Sequence, residues 1–139
     1  MDKPISPPSL EDIDKLARAA LASLPEPFQG FTKGVVLQVA DFPDDEVCEQ
    51  MQLDSPFDIL GLYQGISIAE RGTEASGTMP DMVFLYRRPI IDYWAETSED
   101  LRHVVRHVLV HEIGHHFGLS DEDMESIEAE ADVEESKGA

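Results

Sequence analysis

Cysteine occurs once in the 139 residues, as Cys48. A single thiol makes no disulfide framework and supplies no cysteine-based zinc cluster. Long apolar runs are also missing: none approaches the roughly 20 residues that cross a bilayer, so no membrane span is expected. The opening stretch from Met1 to Pro8 has no signal-peptide apolar region. With the lone thiol, this predicts a cytoplasmic protein. Basic residues are scarce, 10 Lys and Arg against 29 Asp and Glu, for a formal net charge of −19. Such a field repels phosphate backbones, which argues against nucleic acid as a partner. It suits a basic peptide or protein, although solubility alone also accounts for it. Nine of the acidic residues lie between Asp121 and Glu135.

What is present describes an α+β domain. The length fits one domain with a core that needs no staples. Residues 1–8 read as a flexible Pro-rich lead, 9–133 as the domain and 134–139 as a frayed end. Ser9, with Asp12 three residues on, reads as the start of a helix reaching Leu24, where Pro25 and Pro27 stop it. Leu10, Ile13, Leu16, Ala17, Ala20, Leu21 and Leu24 mark its apolar face. Gly34 to Ala40 is rich in β-branched residues and reads as a strand. Asp41 to Glu46 reads as a polar connection, and 47–57 shows no period. Asp58–Tyr63 and Ile66–Ala69 flank Gln64-Gly65 as a hairpin, and Glu70 to Met79 reads as a polar loop. Met82 to Tyr86 is a strand ended by Arg87-Arg88-Pro89, whose arginines read as a solvated strand end pairing with nearby acids. Ile90 to Trp94 has no assignment.

The most informative stretch runs from Val108 to Asp121, preceded by a helix that Thr97 or Ser98 would cap. Leu101, Val104, Val105, Val108, Leu109 and Ile113 make that helix apolar over a wide face. It ends in H-E-x-x-H-x-x-G-x-x-D, each spacing of which has a physical reason. Residues four apart share a helix face, so His111 and His115 can aim at one ion. Glu112 lies about 100° round from His111, where a general base acting on activated water belongs. Gly118 suits the left-handed position that ends a helix, and Asp121 then returns as a third ligand. Three protein ligands without cysteine make a catalytic zinc pattern rather than a structural one. Two other readings stand beside this. The histidines could hydrogen-bond within a core helix, and Ser120 or Asp121 would cap a following helix with or without a metal. Were Asp121 only a cap, the third ligand would be sought among Glu125, Glu128 and water. His103 and His107 continue the four-residue ladder, but it drifts about 40° per step, so they read as surface or supporting residues. His116 reads as a hydrogen-bonding residue near the helix end. The last helix has Met124, Ile127 and Ala131 on its apolar side.

The chain resembles the small bacterial zincin-like metallopeptidases, which carry the same extended motif. The resemblance rests on Leu60 to Gly65, Pro80 to Ile90 and His111 to Asp121. It implies a minimal zincin fold: a small mixed β-sheet, an N-terminal backing helix, a buried motif helix and a short C-terminal helix. It implies a zinc-dependent peptidase with His111, His115 and Asp121 on Zn2+ and Glu112 as general base. Gly118 also resembles the metzincins, which place a third histidine where this chain has Asp121; there Met124 would be the methionine beneath the metal. Tyr63, Tyr86 and Tyr93 are all candidates for stabilising an oxyanion. The expected substrate is a peptide or protein, possibly basic, adding as a strand to a free sheet edge near Ile66–Ala69 or Met82–Tyr86. The rival readings are a non-catalytic acidic interaction protein on the same scaffold and a zinc hydrolase of a non-peptide amide. A monomer is the default expectation.

Overall fold

A computed structural model describes residues 6–65 and 81–138. The chain opens with α1 (Leu10–Ser23), and its start is a reciprocal cap. The Asp12 N–H donates to Ser9 Oγ at 3.0 Å while the Ser9 N–H donates to Asp12 Oδ2 at 2.9 Å. This satisfies two of the donors that a helix start leaves unpaired. Ile13, Ala17 and Ala20 are buried at helical spacing, and the helix closes at Leu24 ahead of the two prolines. A short α2 (Phe28–Phe31) buries Phe28.

β1 (Val36–Ala40) follows, then α3 (Asp45–Gln50), β2 (Gly61–Gln64) and β3 (Met82–Tyr86). The sheet is mixed, in the order β1-β3-β2, with β1 parallel and β2 antiparallel to β3. The helix α3 replaces part of the expected polar connection. Asp44 caps it by accepting from the Val47 N–H at 2.8 Å, and Val47 is its only buried residue. The second hairpin strand at Ile66–Ala69 and the loop Glu70–Met79 lie outside the described residues.

Directly after β3 comes α4 (Arg87–Glu96), over the stretch the sequence left unassigned. Pro89 is its third residue, where the backbone N–H has no helical partner to lose. Arg87 ties the strand end down: its Nε lies 2.7 Å from Asp41 Oδ1 and its Nη1 donates to the Pro8 carbonyl at 2.7 Å. It does pair with an acid, but it is mostly buried rather than solvated.

α5 (Leu101–His116) is capped by Asp100, which accepts from the Arg102 N–H at 2.8 Å. Thr97 and Ser98 do not cap it. Thr97 instead closes α4, its N–H turned to the Trp94 carbonyl. α6 (Asp121–Gly138) completes the chain.

One face of the sheet carries the core. Leu37, Val83 and Leu85 meet Ile13, Ala17 and Ala20 of α1 and Val104, Val105, Val108, Leu109 and Ile113 of α5. Met124 and Ala131 of α6 join the same cluster. Gly61 lets α5 approach the sheet: a Cβ there would lie 2.8 Å from Val108 Cγ1 and 2.9 Å from the Phe84 carbonyl oxygen. The result is an α+β fold with α5 laid beneath β2 and β3.

Candidate metal centre

The site is set by the way α5 ends. Gly118, at φ +78, takes the left-handed conformation. The Leu119 N–H donates to the Gly114 carbonyl at 2.9 Å and the Gly118 N–H to that of His115 at 3.1 Å. This is the double closure of a Schellman turn, which satisfies the last carbonyls and reverses the chain. Ser120 and Asp123 then exchange hydrogen bonds, Asp123 N–H to Ser120 Oγ at 3.1 Å and Ser120 N–H to Asp123 Oδ2 at 3.2 Å. Ser120 is therefore the cap of α6. Asp121 is left in the first turn with its side chain 85% exposed.

His111, His115 and Asp121 come together. One ligand atom from each lies within 4.8 Å of the others, and His115 Nε2 stands 3.9 Å from Asp121 Oδ1. The two imidazoles are 5.6 Å apart between ring centroids and perpendicular. Burial lowers the His111 pKa, with His107 adding to the effect, and this favours the neutral form that can ligate. Donors on a tetrahedral zinc with bonds of about 2.0–2.1 Å are about 3.3 Å apart. The spacing here is wider, but His115 and Asp121 are exposed enough to close in. Two imidazoles and a carboxylate, with no thiolate, fit zinc in a catalytic set.

Glu112 stands beside this group and is not part of it. Its side chain is half-buried under β2, with Cγ 3.4 Å from the Cβ position that Gly61 leaves vacant. Burial raises its pKa, opposed by His115 and by a hydrogen bond from the Tyr63 backbone N–H. That N–H is free to reach it because of strand register. Tyr86 N–H donates to the Leu60 carbonyl, so the even positions Leu62 and Gln64 bond to β3 while Gly61 and Tyr63 point their backbone outward. β2 is thus the sheet edge over Glu112 among the described residues. The expected edge at Met82–Tyr86 is not one: β3 is interior, paired on both sides.

Beneath the motif, Met124 is fully buried, its Sδ 2.5 Å from where a Cβ on Gly114 would sit. A glycine at this free position of the motif is what admits the methionine. The tyrosines separate by location. The Tyr63 hydroxyl donates to Asp81 Oδ2 at 2.7 Å, and its ring stacks on His116 at 4.0 Å. Tyr86 is on the opposite face of the sheet from α5 and buried, which pushes its hydroxyl up to about 12. Tyr93 is carried by α4. His116 Nε2 lies 3.9 Å from Asp81 Oδ2, an ion-pair rather than a hydrogen-bond distance.

The contacts that sequence reasoning overlooked are Asp81 beside Tyr63 and Glu128 beside His107, 2.9 Å away. Nothing local marks Asp81. Glu128 is marked only by its distance of two helical turns from Asp121, which keeps it on the face turned to α5.

A family model described as zincin-like metallopeptidase matches residues 32–131, from just before β1 into α6. No curated protein matches the chain.

Proposed function

The chain belongs to the zincin-like metallopeptidase family, and on that premise we propose that it is a zinc-dependent peptidase. His111, His115 and Asp121 hold the ion, and Glu112 is the general base. When bound, zinc supplies Lewis acidity, which lowers the pKa of water and polarises a carbonyl. Glu112 takes the proton of the attacking water on its carboxylate and returns it to the leaving amine. The raised pKa that burial gives Glu112 makes its carboxylate a stronger base toward the attacking water. The Tyr63 N–H fixes the carboxylate while it waits.

The observation that carries this reading is the position of Glu112 beside the His111–His115–Asp121 group, under the outward edge of β2. An extended peptide adding along β2 would pass over Glu112, pairing with main chain rather than filling deep pockets. β2 thus takes the place of the expected edge at Met82–Tyr86, while Ile66–Ala69 lies outside the described residues. A formal net charge of −19 favours basic peptides as substrates. The free thiol of Cys48 supports a reducing compartment such as the cytoplasm, and no helix among the described residues is long and apolar enough to cross a membrane. The monomer is taken as the working unit.

Metal analysis of the purified protein, followed by hydrolysis of an unbiased peptide library, tests the proposal. One zinc per chain and cleavage that stops on chelation and returns with zinc are expected. A protein that is metal-free and also fails to bind added zinc would sink the reading. Zinc binding without cleavage of any peptide would favour the acidic interaction protein or the hydrolase of a non-peptide amide instead.

A further inference from the structure

His111 also faces a second cluster, one helical turn nearer the start of α5, which the proposed peptidase chemistry does not use. His107 Nδ1 lies 2.9 Å from Glu128 Oε2, and His111 Nε2 lies 3.8 Å from the same oxygen. One ligand atom from each of the three lies within 4.8 Å of the others. The two measured spacings straddle the roughly 3.3 Å between donors on a tetrahedral ion with bonds of about 2.0–2.1 Å. The motif group has a similar spacing, with His115 and Asp121 3.9 Å apart.

The surroundings of Glu128 are those of a held ligand. Its side chain is only 16% exposed. Its other oxygen, Oε1, lies 3.9 Å from Nε of the buried Arg106, whose Nη2 is paired with Asp132 Oδ1 at 2.7 Å. Arg106 thus stands behind the carboxylate at ion-pair rather than hydrogen-bond distance, and Asp132 offsets the charge of Arg106. Ligating carboxylates are commonly steadied by such outer partners. His107 and Glu128 line a cavity of about 310 Å³ to which Glu99, Glu125 and Asp132 add negative charge against the single guanidinium of Arg106. That field draws cations.

We propose that His107, His111 and Glu128 form a second position for a divalent transition metal, and that it excludes the motif position because both require His111. A neutral imidazole has one nitrogen lone pair for a metal, its other ring nitrogen carrying the proton. His111 therefore serves one ion at a time. The chain holds a single ion in one of two places, and only the motif position lies beside Glu112. The second position keeps the ion bound but away from the base, so it withholds activity without releasing metal. Two imidazoles and a carboxylate select zinc, cobalt(II) or nickel(II) over calcium or magnesium. On binding, the ion takes the place of the proton between His107 Nδ1 and Glu128: an imidazolium releases that proton to solvent, and a neutral imidazole carries it on Nε2 instead. The exclusion rests on the proposed function for its motif half; the second position rests on its own three residues.

The test is Co2+ titration of the full chain, followed by calorimetry and by the visible absorption of the bound ion. The unmodified chain should take up one Co2+. The double variant H115A/D121A should still take up one, with a changed absorption spectrum. H107A/E128Q should take up one with the spectrum of the motif group, and adding E128Q to H115A/D121A should abolish binding. The substituted side chains other than Glu128 are exposed or half-exposed, and circular dichroism confirms the fold of each variant. A folded H115A/D121A that binds no Co2+ would overturn the second position. Two Co2+ on the unmodified chain would overturn the exclusion. A folded H107A/E128Q that binds none would instead remove the motif position, and the peptidase reading with it, while the second position stood.

Discussion

Where α6 leaves the turn at Gly118, it meets α5 through exposed side chains, Asp121 opposite His115. Two turns further along it meets α5 again through less exposed ones, with the partly buried Glu128 held between the exposed His107 and the buried Arg106. At the first meeting the geometry is made by backbone: the Schellman closure, the Ser120 cap, and a glycine that admits Met124. At the second it is made by charge. Glu128 faces three cationic or protonatable groups, and its hydrogen bond raises the pKa of His107. The contrast shows why a reactive site can afford loose ligands. Its ligands can remain exposed and adjustable if the helices that carry them are fixed by main-chain hydrogen bonds and apolar packing.

The sharpest way to break this comparison is to remove chemistry without touching either scaffold. Glu112→Gln keeps the size of the side chain and lies outside the group of prospective ligands. Zinc content should be unchanged, while turnover falls by about 10² to 10⁴, the usual range for a general base. Parallel metal analysis and peptide-cleavage rates read both. A Gln variant that retained full turnover would remove Glu112 from the mechanism.

Next in size come changes to the apolar contact that seats α6. Met124→Ala removes a fully buried side chain and should cost about 2–5 kcal/mol in denaturant unfolding. Gly114→Ala attacks the same contact from the other side, because the new Cβ would lie 2.5 Å from Met124 Sδ. It should cost about 1–3 kcal/mol as overpacking. Both should also weaken zinc binding, since Asp121 reaches the histidines only if α6 is seated. Stability loss with unaltered zinc affinity would mean that the motif group does not depend on this packing.

The sequence was readable where a local rule decides the outcome. α1 has a Ser-Asp capping pair at one end and prolines at the other, and the structure starts and stops it there. β1 and β3 lie within or on their expected bounds. The motif helix and the grouping of His111, His115 and Asp121 follow from spacing alone. Reading failed where a residue served two possible elements. Thr97 looked like the start of α5 but finishes α4, and Asp100 caps instead. Arg87-Arg88-Pro89 looked like a stop and is the first turn of α4. α3 was invisible because a six-residue helix with one buried side chain has no period to detect. Glu128 became informative only once α6 was docked, since no spacing rule states which α6 residues face the ladder on α5.

The smallest expected stability effect separates two neighbours that the sequence could not. Ser120 and Asp121 were alternative caps for α6, and the hydrogen bonds assign the cap to Ser120. Ser120→Ala should therefore cost about 1 kcal/mol of stability and leave zinc affinity almost unchanged, because the turn at Gly118 and the Met124 contact still seat the helix. Asp121→Ala should do the reverse. Its side chain is 85% exposed and makes no capping bond, so unfolding free energy should move by no more than about 0.5 kcal/mol. Its carboxylate is the third member of the motif group, so zinc affinity should fall sharply once the second position is removed by H107A/E128Q. Chemical denaturation of the apo-proteins, set beside zinc titration of each, reads the two effects independently. Asp121→Ala in the H107A/E128Q background binding zinc as tightly as H107A/E128Q itself would show that the exposed carboxylate is not a ligand, and the motif histidines would then share their ion with something other than α6's first turn.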